Sequence, residues 1–273
     1  MQHPPIHPVA KPIVANSSKR DFPKEFSIIT LVNDGTHYSE MVESFISSGF
    51  DTETCEYIYL DNLKSNQWEA YNGLNFGISN ASGKHHILCH QDVRLDFDKI
   101  DVLRSRINEI SKKDPNWGVL GNAGGSLNPN QTYLRITDPT TSNAKVGRLP
   151  AKVMSLDENF LLLKASKRLA FSTDLLGFHF YGTDICQQAM FRGMNSYVID
   201  FHLRHLSSGN RNDDFWKLKK DFIESYRKKL ADRFIRTTVS RLYLSESKFK
   251  SQLFNKPFAM KFLRKTGLYK FFQ

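Results

Sequence analysis

Three short polar groups, Asn33-Asp34, Asp61-Asn62 and His90-Gln91-Asp92, each stand directly behind a short apolar run. The runs, Phe26 to Val32, Cys55 to Leu60 and His85 to Cys89, have the length and the β-branched or aromatic content of buried strands. In a parallel sheet covered by helices, ligands sit beyond the carboxyl ends of the strands, which places all three groups on one side of the molecule. A single Asp at a strand end says little, because Asp also caps helices and opens turns. Three in successive strand–helix units say more. Carboxylates at such a point suit Mg²⁺ or Mn²⁺, which bridge diphosphate oxygens, so the chemistry indicated is phosphate handling. No glycine-rich P-loop ending in Lys-Ser/Thr is present, and no GxGxxG follows the first run; kinase, ATPase and dehydrogenase readings lose their usual support. His85 and His86 are neighbours on a strand, point to opposite faces and cannot form a joint metal site.

The elements that must hold these residues alternate. A helix is predicted from Tyr38 to Ser48, with Met41, Val42, Phe45 and Ile46 at helical spacing and Gly49 behind it. A second spans Trp68, Tyr71, Leu74, Asn75 and Ile78, and a third covers Asp98 to Ser111 with Ile100, Leu103, Ile107 and Ile110 on one face. Strand–helix–strand repetition predicts an α/β fold with a parallel sheet covered on both sides. Further on, Trp117 to Leu120 reads as a strand, Gly121 to Gly125 as a flexible loop and 128–150 as loop. Lys152 to Leu156 and Phe160 to Leu163 read as strands around a turn at Asp157-Glu158. Thr183 to Arg192 reads as a helix, Tyr197 to Leu206 as one strand, and a long basic helix is expected from Asn212 to Arg236. Trp68 and Trp117 are expected in the core.

The chain has 273 residues, 40% hydrophobic, enough for a large core, and no apolar run of the ~18–20 residues that a membrane span needs. Three separated cysteines, Cys55, Cys89 and Cys186, argue against a disulfide scaffold or a cysteine-rich zinc module and fit a reducing cytoplasm. The opening Met1-Gln2-His3-Pro4-Pro5 lacks the pattern of a secretory signal. Net charge is +10, and it is unevenly placed: residues 210–273 hold 17 Lys/Arg against 6 Asp/Glu. The predicted organisation is a flexible Pro-rich arm at 1–24, a body at 25–209 and a basic, aromatic-rich helical extension at 210–273. In that extension Phe249, Phe254, Phe258, Phe262, Leu263, Leu268, Tyr269, Phe271 and Phe272 interleave with lysines and arginines. Such a mixture suits either an anionic membrane surface or a helix that packs its aromatics on the body. Nucleic-acid binding lacks a motif to support it.

Seven segments in order carry a resemblance. They are Ser27 to Asp34, Tyr59-Leu60-Asp61-Asn62, the Asn75-Phe76-Gly77 to Gly83 stretch, Ile87 to Val93, Asp157 to Leu163, Phe178 to Cys186 and His205-Leu206-Ser207-Ser208-Gly209. Together they resemble the family 2 glycosyltransferases of GT-A fold, most closely the branch related to a streptomycin-biosynthesis glycosyltransferase, over about residues 26–209. The resemblance implies a GT-A (Rossmann-like), mostly parallel central sheet flanked by helices. It implies donor contacts at Val32, Asn33, Asp61, Asn62, Asn75, His90 and Gln91, a Mn²⁺ or Mg²⁺ held by Asp92 and His205, and Asp184 as the general base of an inverting transfer. The sugar would pass from a nucleotide-diphosphate donor to a saccharide or lipid-linked acceptor, in bacterial surface-glycan assembly such as polysaccharide, lipopolysaccharide or capsule. The chain would work in the cytoplasm, peripheral to the membrane, with no nucleic-acid partner. Two departures stand out: His90 replaces the first acid of the family's Asp-x-Asp, and Thr183 replaces the Glu before Asp184. The alternatives are a sugar-nucleotide-binding module without turnover, a nucleotidyltransferase, and a protein that chiefly binds anionic surfaces.

Overall fold

The computed structural model describes residues 22–209 and 212–267. The predicted arm, apart from Phe22, Pro23 and Lys24, lies outside the described residues, as do Asn210, Leu268, Tyr269, Lys270, Phe271 and Phe272.

A seven-stranded sheet forms the centre. It contains β1 (Lys24–Val32), β2 (Cys55–Asp61), β3 (Gly83–Cys89), β5 (Trp117–Gly121), β9 (Ala151–Val153), β11 (Phe160–Lys164) and β12 (Asn195–Val198), in the order β2-β1-β3-β11-β5-β12-β9. Five strands run one way; β11 and β9 run against them. The apolar runs bury both faces by strict alternation. Phe26, Ile28, Ile87, Phe160 and Leu162 face a cluster shared with α1 (Gly35–Ser47) and α3 (Ile100–Lys113). Ile29, Leu88, Leu161 and Leu163 face the opposite cluster, shared with α2 (Ala70–Asn80) and α4 (Tyr181–Phe191). This is the α/β arrangement expected from the sequence. Trp117 is fully buried and stacks on His85 at 6.0 Å. Burial pushes the His85 imidazole down to about 3, which keeps it a neutral core ring. Trp68 stacks on Phe76 at 4.8 Å and packs only partly buried against the second cluster.

A second sheet lies beside the first and was not legible locally. It joins β10 (Ser155–Leu156), β6 (Ala123–Gly125), β7 (Thr132–Thr137), β13 (Leu203–His205) and β4 (Val93–Arg94) in that order, with β8 (Ala144–Val146) on β7. The expected flexible loop at Gly121 to Gly125 is therefore partly a strand, and 128–150 contains two. The single strand expected from Tyr197 to Leu206 is broken: β12 stays in the central sheet, and β13 crosses to the second. That crossing pairs His205 with Val93, and the Leu206 N–H donates to the Asp92 carbonyl at 3.1 Å.

The long helix expected to reach Arg236 ends earlier, as α5 (Asp213–Leu230). The Arg233 guanidinium donates to the carbonyls of Lys228 (2.9 Å) and Lys229 (2.6 Å), satisfying groups that helix ends leave open. The β-branched and aromatic run from Phe234 to Val239 then forms the hairpin of β14 (Arg233–Arg236) and β15 (Arg241–Leu244). α6 (Lys248–Phe254) and α7 (Pro257–Thr266) follow. Among the described residues no helix is long and apolar enough to cross a membrane.

Candidate active site

The carboxyl ends of β1, β2 and β3 open into a cleft of about 380 Å³. Asn33, Asn62, His90, Gln91, Asp92 and Tyr181 are among the residues that line it. Gln91 organises the floor: its Oε1 accepts from the backbone N–H of Asn33 and of Asp34, both at 3.0 Å, and its amide donates to Asn33 Oδ1. Asn62 has both amide atoms engaged with the Trp68 backbone at 2.8 Å, so it shapes the wall and offers little hydrogen-bonding capacity to a ligand.

On one side of the cleft three metal-ligating atoms converge. His90, Asp92 and His205 each offer one atom within 4.8 Å of the others, the only such group of three among the described residues. His205 Nε2 lies 3.3 Å from Asp92 Oδ1 and 3.3 Å from His90 Nδ1. The other nitrogen of His90, Nε2, is 2.8 Å from the Tyr181 hydroxyl, which fixes the ring's orientation. Burial, then the neighbouring His205, holds the His90 pKa down, so the ring is neutral, as ligation requires. Burial opposes charge on Asp92 as well, but hydrogen bonds from His205 and Ser207 and the two neighbouring imidazoles together outweigh it and keep the carboxylate ionised. Burial likewise works against a proton on His205, but Asp92, with the charges of Asp157 and Asp138, overcomes it and raises that pKa. Two imidazoles and a carboxylate facing one point could share a cation. An N₂O donor set of this kind fits a divalent transition metal. The substitution of His90 for the expected acid thus supplies a third donor in place of a lost carboxylate.

Four of the residues expected at the site stand elsewhere. Val32 is fully buried in the core. Asp61 is exposed at the β2 end and turns its Oδ1 to the Leu63 N–H (2.9 Å) and the Tyr59 hydroxyl (3.2 Å). Asn75, on α2, exchanges two hydrogen bonds with the Phe171 backbone (2.8 and 3.0 Å), an anchor for the neighbouring loop. Asp184 departs furthest from expectation. It has no exposed surface; its Oδ2 accepts from Ser172 N–H (2.8 Å), and its Oδ1 accepts from the hydroxyls of Ser172 and Tyr226, both at 2.6 Å. The first turn of α4 points Asp184 inward onto Ser172 and α5, so its carboxylate does not line the cleft.

Tyr181, inside the Phe178 to Cys186 segment, also belongs to the site, although nothing near it in sequence marks it. Its role is tertiary: the hydroxyl contacts His90 and lies 3.4 Å from the Glu158 carbonyl. The start of α4 is set by Gly182, where an added Cβ would come within 2.3 Å of the Leu156 carbonyl oxygen. Gly182→Ala is expected to push α4 off that strand at a cost of about 1–3 kcal/mol, read as a lower urea midpoint.

No family model matches the chain. It is 34% identical over 224 residues to the "ATP synthase subunits region ORF 6" protein of Fuscovulum blasticum, a match spanning 80% of this chain and 90% of that one. The chain belongs to the family of that protein, whose name states no reaction and gives the streptomycin-biosynthesis branch no support. Similar solved structures include the mannosyltransferase PcManGT from Pyrobaculum calidifontis in complex with GDP-Man and Mn²⁺, at 11% identity and TM-score 0.49, covering 77% of this chain and 68% of that one. Another is S. aureus TarS 1-349 in complex with UDP-GlcNAc, at 9% identity and TM-score 0.46, covering 73% and 66%. These likenesses are loose and concern the layered α/β plan alone.

Proposed function

We propose that the chain is a metal-dependent, inverting glycosyltransferase of GT-A type that uses a nucleotide-diphosphate sugar. The observation that carries this reading is the convergence of His90, Asp92 and His205 at the rim of a cleft built from strand carboxyl ends. The cleft's volume, about 380 Å³, falls in the range of small-molecule sites. His90, Asp92 and His205 would hold Mn²⁺, which their two imidazoles suit better than the oxygen-seeking Mg²⁺, and the ion's chemistry there is to neutralise the charge that develops on a leaving diphosphate. Asn33, whose backbone N–H and Oδ1 are held by Gln91, presents its side-chain NH₂ to the nucleotide's polar edges. Tyr181 keeps the His90 ring turned toward the other two ligands. The family 2 assignment, the hexosyl specificity and a role in surface-glycan assembly at the cytoplasmic face belong to this proposal; they rest on the motif resemblance.

Thermal-shift screening against UDP-, GDP-, dTDP- and CMP-sugars, with Mn²⁺ and with EDTA, tests it. One donor class is expected to raise the melting temperature with Mn²⁺ and to lose that effect with EDTA. No shift with any donor would end the reading. A binding module without turnover would show the same shift and release no nucleotide.

The basic extension supports a membrane-surface partner. Phe249, Phe258 and Phe262 are 73%, 66% and 60% exposed, and Lys261, Arg264 and Lys265 lie on the same helix as the last two. Arg236, Arg241 and Arg264 line a groove of about 390 Å³ floored by Phe234, Met260 and Leu263. Aromatics beside cations fit an anionic headgroup layer. Sedimentation with phosphatidylserine-containing vesicles is expected to capture the chain at low salt and release it at high salt. Replacing Phe249, Phe258 and Phe262 with Ser should weaken capture by at least about tenfold; unchanged capture would count against the partner.

A further inference from the structure

Inverting transfer needs a group to take the acceptor hydroxyl's proton, and the enclosed Asp184 is spent on Ser172 and Tyr226. We infer, resting on the transferase reading above, that Glu158 is the general base and that the cleft it lines receives a saccharide acceptor. Glu158 stands in the turn between β10 and β11. It forms the wall of a second cleft of about 350 Å³, together with Gly124, Thr132, Thr183, Phe180 and Phe215.

The two clefts lie on either side of the start of α4, lined by neighbouring residues of that segment. Phe180, a non-glycine residue in the left-handed region (φ +67°), and its neighbour Tyr181 serve different sides: Phe180 lines the second cleft and Tyr181 the first. Left-handed backbone at an aromatic residue persists only where the surroundings enforce it, and such positions gather at functional sites. Tyr181 bridges the two sides, touching His90 with its hydroxyl and lying 3.4 Å from the Glu158 carbonyl. The second cleft has the surfaces that a sugar ring needs. Phe180 and Phe215, with centroids 4.9 Å apart, give an apolar wall for its C–H face, and the hydroxyls of Thr132, Ser155 and Thr183 are available to its O–H groups.

Of the carboxylates on that wall, Asp157 is committed: its Oδ1 accepts from the backbone and side-chain N–H groups of Asn159 at 3.0 and 2.6 Å. Glu158 Oε1 accepts a long bond, 3.3 Å, from the Gly182 N–H, the Phe180 N–H also faces the carboxyl, and Glu158 forms no ion pair among the described residues. Burial, then the Asp157 charge, pushes its carboxyl up to about 8, against the backbone N–H groups of Gly182 and Phe180, which favour the ionised form. Tyr181 and Tyr71, also close enough to feel its charge, both stay neutral because burial raises their pKa values. A carboxylate with so high a pKa is a strong proton acceptor once ionised. In the step, the acceptor's oxygen bonds to the anomeric carbon as its proton passes to Glu158. The bond from that carbon to the diphosphate breaks, and the electron pair leaves with the diphosphate.

The test measures nucleotide release from UDP-, GDP-, dTDP- and CMP-sugars, with methyl glycosides of glucose, galactose, mannose and N-acetylglucosamine as acceptors. Glu158→Gln is expected to lower the transfer kcat by about 10²–10⁴-fold while leaving the donor KM and melting temperature close to wild type. Glu158→Asp should recover part of the loss. Wild-type kcat should fall as pH drops through about 8, and that limb should vanish in Glu158→Gln. Near-normal kcat in Glu158→Gln, or a loss matched by lost donor binding in both variants, overturns the assignment of the base. Absence of release by the wild-type chain with every donor overturns the transferase reading, and this inference with it.

Discussion

Asp92→Asn is expected to lower sugar transfer by on the order of 10²–10³-fold and to abolish its dependence on Mn²⁺. Asp92 is the one acid of the converging trio, 3.3 Å from His205 and 4.0 Å from His90. An Asn oxygen keeps the size and loses the charge, so two neutral imidazoles and an amide would remain to hold a dication. The same substitution removes the partner that raises the His205 pKa, so that ring too loses a positioning contact. Steady-state kinetics over a Mn²⁺ series with the donor found by screening reads both effects. An Asp92→Asn chain with wild-type turnover and an unchanged metal optimum would remove the trio from the chemistry.

The second large effect concerns Asp184, and it is one of stability. A buried carboxylate with three donors aimed at it is part of the scaffold. In Asp184→Asn, one side-chain oxygen becomes an amide that faces either the Ser172 N–H or the hydroxyls of Ser172 and Tyr226. Leaving such donors mismatched in the interior costs about 3 kcal/mol. The loss would appear in urea unfolding, with the folded fraction keeping its turnover. Were Asp184 the proton acceptor, the reverse pattern would hold: turnover lost and stability kept. The structure and the family-style expectation therefore disagree on one variant in a way that two measurements separate.

What the sequence disclosed and what it hid divide along the range of the interactions. The β1–α1–β2–α2–β3 half was legible because its signals are local: continuous apolar runs and helical spacing. Asp34, for instance, caps α1 by accepting from the N–H groups of Thr36 and His37, a signal contained within four residues. The second sheet was not legible. β6 and β8 have only three residues each; they pair locally with β7, but the sheet is completed by β10 and β13, tens of residues away. At the site, His90, Gln91 and Asp92 lie together on one strand end and could be picked out by position. His205 could be suspected only from a motif, because β4–β13 pairing is what brings it there. Asn75 and Asp184 were misplaced for the opposite reason. Their neighbours in sequence mark the right segment, but helix phase decides which side chains turn inward, onto Phe171 and Ser172. Glu158 looked like a turn former because nothing near it in sequence reveals the cleft that its fold partners build around it.

The proposed chemistry requires His90, Asp92 and His205 to form one divalent-metal centre. Electron paramagnetic resonance of Mn²⁺ titrated into the chain, with the matching nucleoside diphosphate present, tests that claim most directly, because the signal of free Mn²⁺ disappears on binding. Wild type is expected to take up one equivalent, and Asp92→Asn and His205→Ala none at the same concentrations. Equal uptake by all three, or no uptake by wild type at millimolar Mn²⁺, would contradict it.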